Sequence, residues 1–155
     1  MDRQAIHQTI SAFLALLEEP KVDSEVKEAK LTLALDRLAL AYHFSDCKFD
    51  EGEYPNAPRK DYDGLRQVVE RVFPEYGKYN TPSEISLNAG EAEMYVGDAI
   101  DDIADIANDM FEILWLWENT SVDDALWHFR FGYESHWGLH LRCLQLYLLA
   151  NRRDI

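Results

Sequence analysis

The chain has 155 residues, 47% of them apolar, and its 29 acidic and 15 basic side chains leave a net charge of −14. That length suits a single domain, residues 1–155, able to bury roughly two thirds of its unfolded surface without disulfides. The charge disfavours nucleic acid and anionic membrane surfaces as partners, because both are bound mainly through Lys and Arg that displace counterions.

The start, Met1-Asp2-Arg3-Gln4, has no basic region leading into an apolar run, and no stretch reaches the roughly 20 apolar residues of a membrane span. Cys47 and Cys143 form no C-x-x-C pair and sit beside helical apolar patterns, as free thiols acting as small hydrophobes do. A cytoplasmic, reducing setting is expected.

Asp2 can cap a first helix over residues 3–19, in which Ile6, Ile10, Phe13, Leu14 and Leu17 recur at three- and four-residue intervals until Pro20. A second helix runs from Asp23 or Ser24 to about Phe44. Its Leu31, Leu33, Leu35, Leu38, Leu40 and Tyr42 spread almost all round the helix, which predicts a central place in the bundle. Asp36 and His43 share one side of it and should then be partly buried, as a secondary polar pair needing partners. Residues 45–60 are a loop by composition, and Asp61 to Phe73 reads as a short third helix ended by Pro74.

From Pro74 to about Gly90 the periodicity disappears. The aromatic Tyr76-Gly77-Lys78-Tyr79 suggests a loop packed across the bundle, and its length makes it a candidate lid. A fourth helix is predicted from about Glu91 to Trp117, burying Ile100, Ile103, Ala107, Met110 and Leu114. After Asn119-Thr120, Ser121 with Asp124 opens a fifth helix that runs unbroken to about Ala150, roughly 45 Å at 1.5 Å per residue. The predicted fold is all-α, an up-and-down bundle of four long helices plus one short helix.

The fourth helix carries Asp98, Asp102, Asp105, Asp109 and Glu112, one per turn. Such a stripe can be a solvated face, an ion-pairing partner of the last helix, or a platform for a divalent metal. Asp is a poorer helix former than Glu, so a row chosen only for solubility would favour Glu. On the last helix His136 and His140 are one turn apart, a spacing at which two imidazoles can share a metal. Trp137 follows the first of them where the zinc-protease pattern H-E-x-x-H requires Glu, which excludes that family. The metal candidates are therefore Asp98, Asp102, Asp105, His136 and His140.

Projected on an unbroken helix, Arg130 falls between Trp137 and Leu141 on the apolar arc. Burial there demands partners, for which Glu134 and one of Asp102 and Asp105 are expected. The candidate polar cluster is thus Asp102, Asp105, Arg130, Glu134, His136 and His140. No Gly-rich phosphate loop, nucleophile elbow or zinc-knuckle spacing occurs, so no catalytic residue is assigned.

The run Asp101-Asp102-Ile103-Ala104-Asp105-Ile106, followed by Trp127-His128-Phe129-Arg130-Phe131-Gly132-Tyr133-Glu134-Ser135-His136-Trp137-Gly138-Leu139-His140, resembles the C-terminal signature of a bacterial domain-of-unknown-function family, number 5063. That resemblance implies a cytoplasmic, all-helical protein with no assigned activity. The spacing from Arg130 to His136 also resembles HEPN-type helical ribonucleases, although Phe131 stands where they typically carry a polar residue. The leading expectation is a non-enzymatic interaction or regulatory module with a protein partner. The alternative is a metal-binding bundle or a metal- or nucleotide-dependent enzyme using the carboxylates of the fourth helix.

Overall fold

The computed structural model describes residues 1–19 and 23–152. Five helices begin where a short polar side chain accepts from a free backbone N–H of the first turn. Asp2 caps α1 (Arg3–Ala15), Asp23 caps α2 (Ser24–Tyr42), Asp61 caps α3 (Tyr62–Val72), Asp98 caps α4 (Ala99–Asn119) and Ser121 caps α5 (Val122–Ser135). Such caps stabilise a helix by about 1 kcal/mol each. The last helix, α6 (Trp137–Asn151), has no side-chain cap, for a reason given below. Pro20, the predicted stop of the first helix, lies outside the described residues.

The centre of the bundle is α4. Ile100, Ile103, Ile106, Met110, Ile113 and Leu116 are buried along it, and α1, α3, α5 and α6 all pack on it. The prediction that α2 holds the centre is overturned. Leu31, Leu35 and Leu38 face the core, while Leu33 and Leu40 are 49% and 50% exposed. Its apolar residues spread round the helix, but only one stripe finds neighbours, chiefly on α1 and α6 with a smaller contact on α5. Asp36 and His43 are consequently both exposed rather than partly buried. Asp36 accepts from Gln145 at 2.8 Å, and His43 merely follows the last turn of α2, so the two form no pair.

The architecture is mostly helical, as expected, with one addition. Residues 78–82 and 94–98 pair as antiparallel strands β1 (Lys78–Pro82) and β2 (Met94–Asp98), in register from Lys78↔Asp98 to Pro82↔Met94. Tyr79, Thr81, Tyr95 and Val96 are residue types that favour strands. Between the strands the chain uses the left-handed region at Asn88 and Gly90, whose φ values are 46° and 91°. The fourth helix thus starts at Ala99 and not near Glu91, because Asp98 is where a cap exists. The 74–90 segment crosses the bundle as predicted but is fastened at its first half. Tyr76 and Tyr79 both meet the ring of Tyr147 on α6, at 5.8 and 5.3 Å.

The predicted unbroken last helix is two helices, making six among the described residues. The break falls at His136, with φ −147° and ψ −85°. Its N–H still closes α5 on the Gly132 carbonyl at 2.8 Å, after which the chain turns and Trp137 enters the core. Trp137 is fully buried between Phe129 and Tyr133, and its indole N–H donates to the Phe129 carbonyl at 3.2 Å. The turn is too tight for side chains at two places. A Cβ on Gly132 would lie 2.8 Å from the Trp137 ring, and one on Gly138 would lie 2.1 Å from the Tyr133 carbonyl oxygen. With its start set by this turn, α6 begins without a polar cap.

Candidate metal centre

Three successive turns of α4 present Asp102, Asp105 and Asp109 to the break between α5 and α6. His140 Nδ1 lies 2.8 Å from Asp102 Oδ1, and its Nε2 lies 3.6 Å from Asp105 Oδ2. His136, turned by the break, places Nδ1 2.8 Å from Asp109 Oδ2. The two imidazole rings stand 5.0 Å apart, inclined at 73°. One ligand atom from each of Asp105, His136 and His140 falls within 4.8 Å of the others.

The carboxylates are themselves held. Asp102, only 5% exposed, accepts a short hydrogen bond from the Tyr79 hydroxyl on β1 as well as facing His140. The Tyr62 hydroxyl of α3 faces Asp105, whose charge adds to the effect of burial on it. Burial and these acidic neighbours push both tyrosine hydroxyls well above the ordinary phenol range, so they remain protonated donors. Asp109 is raised chiefly by burial, an effect that its contact with His136 partly offsets. His140 is raised first by the hydrogen bond to Asp102, against the opposing effect of burial. The acidic stripe is therefore largely a partner surface for the two histidines and two tyrosines.

Not all the predicted residues gather here. Asp98 is spent as the cap of α4 and pairs with Arg66 of α3 at 3.0 Å, so it belongs to no group with the histidines. The expected pairing of Arg130 with Glu134 and with Asp102 or Asp105 does not form. Arg130 instead reaches the Tyr42 carbonyl at 3.5 Å, the exposed Asp46 at 3.5 Å, and the face of the Tyr42 ring at 5.1 Å. Glu134 accepts from the Tyr42 hydroxyl at 2.7 Å. The projection that put Arg130 on the buried arc assumed one continuous helix through Trp137 and Leu141, and the break at His136 rotates those residues away. Arg130→Ala should accordingly cost about 1 kcal/mol or less in urea unfolding, the worth of an exposed ion pair and a cation–π contact. A loss above about 3 kcal/mol would show a buried pair after all.

Arg130 and His136 also keep separate partners, which removes the support that their spacing lent to a ribonuclease-like site. Tyr79 and Tyr62 are the neighbours of the aspartates that pattern reading misses. The only signal was the aromatic content of 76–79 and the position of Tyr62 beside a helix cap.

Fold and site together define a class: a helical bundle whose central helix offers carboxylates to two histidines at a break in its C-terminal helical pair. The chain belongs to the family described as Domain of unknown function (DUF5063), which matches residues 3–148. It is similar in fold to the crystal structure of protein BF1032 from Bacteroides fragilis, at 20% identity and a TM-score of 0.64, over 94% of this chain and 88% of that one. No curated protein matches the sequence. No helix among the described residues is long and apolar enough to cross a membrane.

Proposed function

We propose that this protein is a divalent-metal-binding bundle in which Asp105, His136 and His140 are the ligands and Asp102 and Asp109 orient the imidazoles. One observation carries this reading. Each histidine has its Nδ1 against its own carboxylate, which leaves Nε2 as the nitrogen free to ligate, and a third carboxylate stands beside them. Metal-bound histidines are held in this way by a second layer of carboxylates, which fixes the tautomer and makes the imidazole more basic. The 3.6 Å between His140 Nε2 and Asp105 Oδ2 is too long for a hydrogen bond. It is close to the roughly 3.4 Å that separates two ligands of a tetrahedral ion with bonds near 2.1 Å.

Two imidazoles and one carboxylate suit zinc, manganese or ferrous iron, and a three-ligand set leaves positions for water or substrate. A bound ion there would supply Lewis acidity. The chain's own contribution is to keep both Nδ1 atoms occupied and to hold Asp102 through Tyr79. Protons compete for the same site, since His140 must be neutral to ligate.

The reading is tested by metal analysis of the purified protein and by melting in Zn²⁺, Mn²⁺ or Fe²⁺. An ion at one hundred times its Kd should stabilise the fold by about 2.7 kcal/mol, and His140→Ala should abolish the shift. No shift with any of the three at millimolar concentration would retire it.

A protein-binding module is the second reading, and the stacked, solvent-facing rings of Trp127 and Phe131 favour it, 5.1 Å apart and 39% and 53% exposed. The free thiols of Cys47 and Cys143 support a cytoplasmic setting, and the charge of −14 speaks against nucleic acid as a partner.

A further inference from the structure

An open cavity of about 510 Å³ lies between α4 and the loop that leads into α3, a size within the roughly 300–1,000 Å³ of small-molecule sites. Tyr62, Phe111 and Trp115 supply its aromatic walls, and Asn108 and Glu112 line it from α4. Arg59 and Lys60 come from the loop. Neither of these cations forms a salt bridge among the described residues, in a chain with twice as many carboxylates as basic groups. Lys60 is placed by its contact with the face of Phe111, its Nζ 3.6 Å from the ring centre. Two adjacent cations left unpaired over an aromatic wall concentrate positive potential against the sign of the whole surface.

The cavity also borders the metal centre. Tyr62, on its wall, is the residue whose hydroxyl faces Asp105. Glu112 lines both this cavity and a smaller one of about 220 Å³ that contains Asp109 and His136. A ligand here would meet cations at the loop, flat rings along the wall, and at α4 a carboxylate and an amide able to accept from N–H groups. We propose that the cavity binds a nucleotide, its phosphate on Arg59 and Lys60, its base against the aromatic wall, and its amino edge on Glu112 and Asn108. The anion site stands on its own residues; that its occupant reaches the metal ligands rests on the metal reading.

Calorimetric titration with adenosine monophosphate, in chelator so that no metal is present, tests the cavity alone. The expected result is binding that is at least tenfold weaker for adenosine and for inorganic phosphate, and at least tenfold weaker in the doubly reversed variant Arg59→Glu/Lys60→Glu. Both side chains are exposed, and an unchanged melting temperature of that variant confirms that it folds. Absence of binding, equal affinity for phosphate alone, or an affinity untouched by the charge reversal overturns the proposal. Repeating the titration with Mn²⁺ tests the link: affinity should rise in the natural protein and stay level in His140→Ala. No rise in a protein shown to bind Mn²⁺ would sink the link and leave the cavity standing.

Discussion

Gly138→Ala should lose about 2 kcal/mol of stability. At an ordinary helix position this exchange would stabilise by up to about 1 kcal/mol, because alanine is the better helix former. Here the added methyl would sit 2.1 Å from the Tyr133 carbonyl oxygen and 3.0 Å from two further atoms of Tyr133. The nearest obstacle is backbone, which cannot swing aside as the end of a flexible side chain would. Relief requires α5 and α6 to separate, and Trp137, packed at the break, would lose its fit. Overpacking of a well-filled site costs roughly 1–3 kcal/mol and sometimes more, which outweighs the gain in helix propensity. Gly77→Ala is the control, since a Cβ there meets nothing within 4 Å. Urea unfolding with an unchanged denaturant slope measures both. A Gly138→Ala protein as stable as its parent would mean that the approach of residue 138 to the Tyr133 carbonyl relaxes without cost.

The second large effect is expected at Asp102. This carboxylate serves Tyr79 and His140 at once, and its side chain is 7% exposed against 27% for His140. Removing one member of a buried charged pair costs about 3–5 kcal/mol because the other is stranded, and the partial exposure of His140 brings the figure for Asp102→Ala nearer 2–4. Asp102→Asn keeps the shape and an acceptor for Tyr79 but loses the charge, so it should fall between the two. Metal binding gives a separate readout. Loss of an orienting carboxylate typically weakens affinity by about 10–100-fold, so Asp102→Asn should bind zinc that much less tightly while remaining folded. A variant with unaltered stability and unaltered zinc affinity would show that Asp102 neither anchors nor orients His140.

Much of the fold was legible because local chemistry decides it. Asp2 and Ser121 cap the helices they are expected to cap, and Asp23 and Asp61, read only as approximate helix starts, prove to be caps as well. The start of α4 was misplaced by eight residues because Glu91-Ala92-Glu93-Met94 are helix formers, and only their pairing across to Lys78–Pro82 makes a strand of the end of that run. Strand pairing is a long-range fact that no window of sequence contains. At the site, helical spacing groups Asp102 and Asp105 with His136 and His140, and that grouping survives the break because the two histidines still meet. It wrongly adds Asp98 and leaves Asp109, the partner of His136, as a mere member of the stripe. Arg130 and Glu134 were added by extrapolating the same helix, and there the break is fatal to the argument. Its cause, a glycine pressed against a carbonyl five residues back, is written in the sequence only as an inconspicuous Trp-Gly.

The composition of α4 has a consequence for how the molecule assembles. Its 21 residues include Asp101, Asp102, Asp105, Asp109, Glu112 and Glu118 and not one Lys, Arg or His. Like charges a turn apart oppose helix formation, so this segment is a poor nucleus by itself although it becomes the centre of the core. Its first turn can be neutralised as soon as it is made, because Arg66 precedes it in the chain and pairs with Asp98 and Asp101. The middle turns find their partners in histidines that follow some thirty residues later. The central helix thus draws its partners from both sides in the chain, its first turn from α3 before it and its middle turns from the histidines after it.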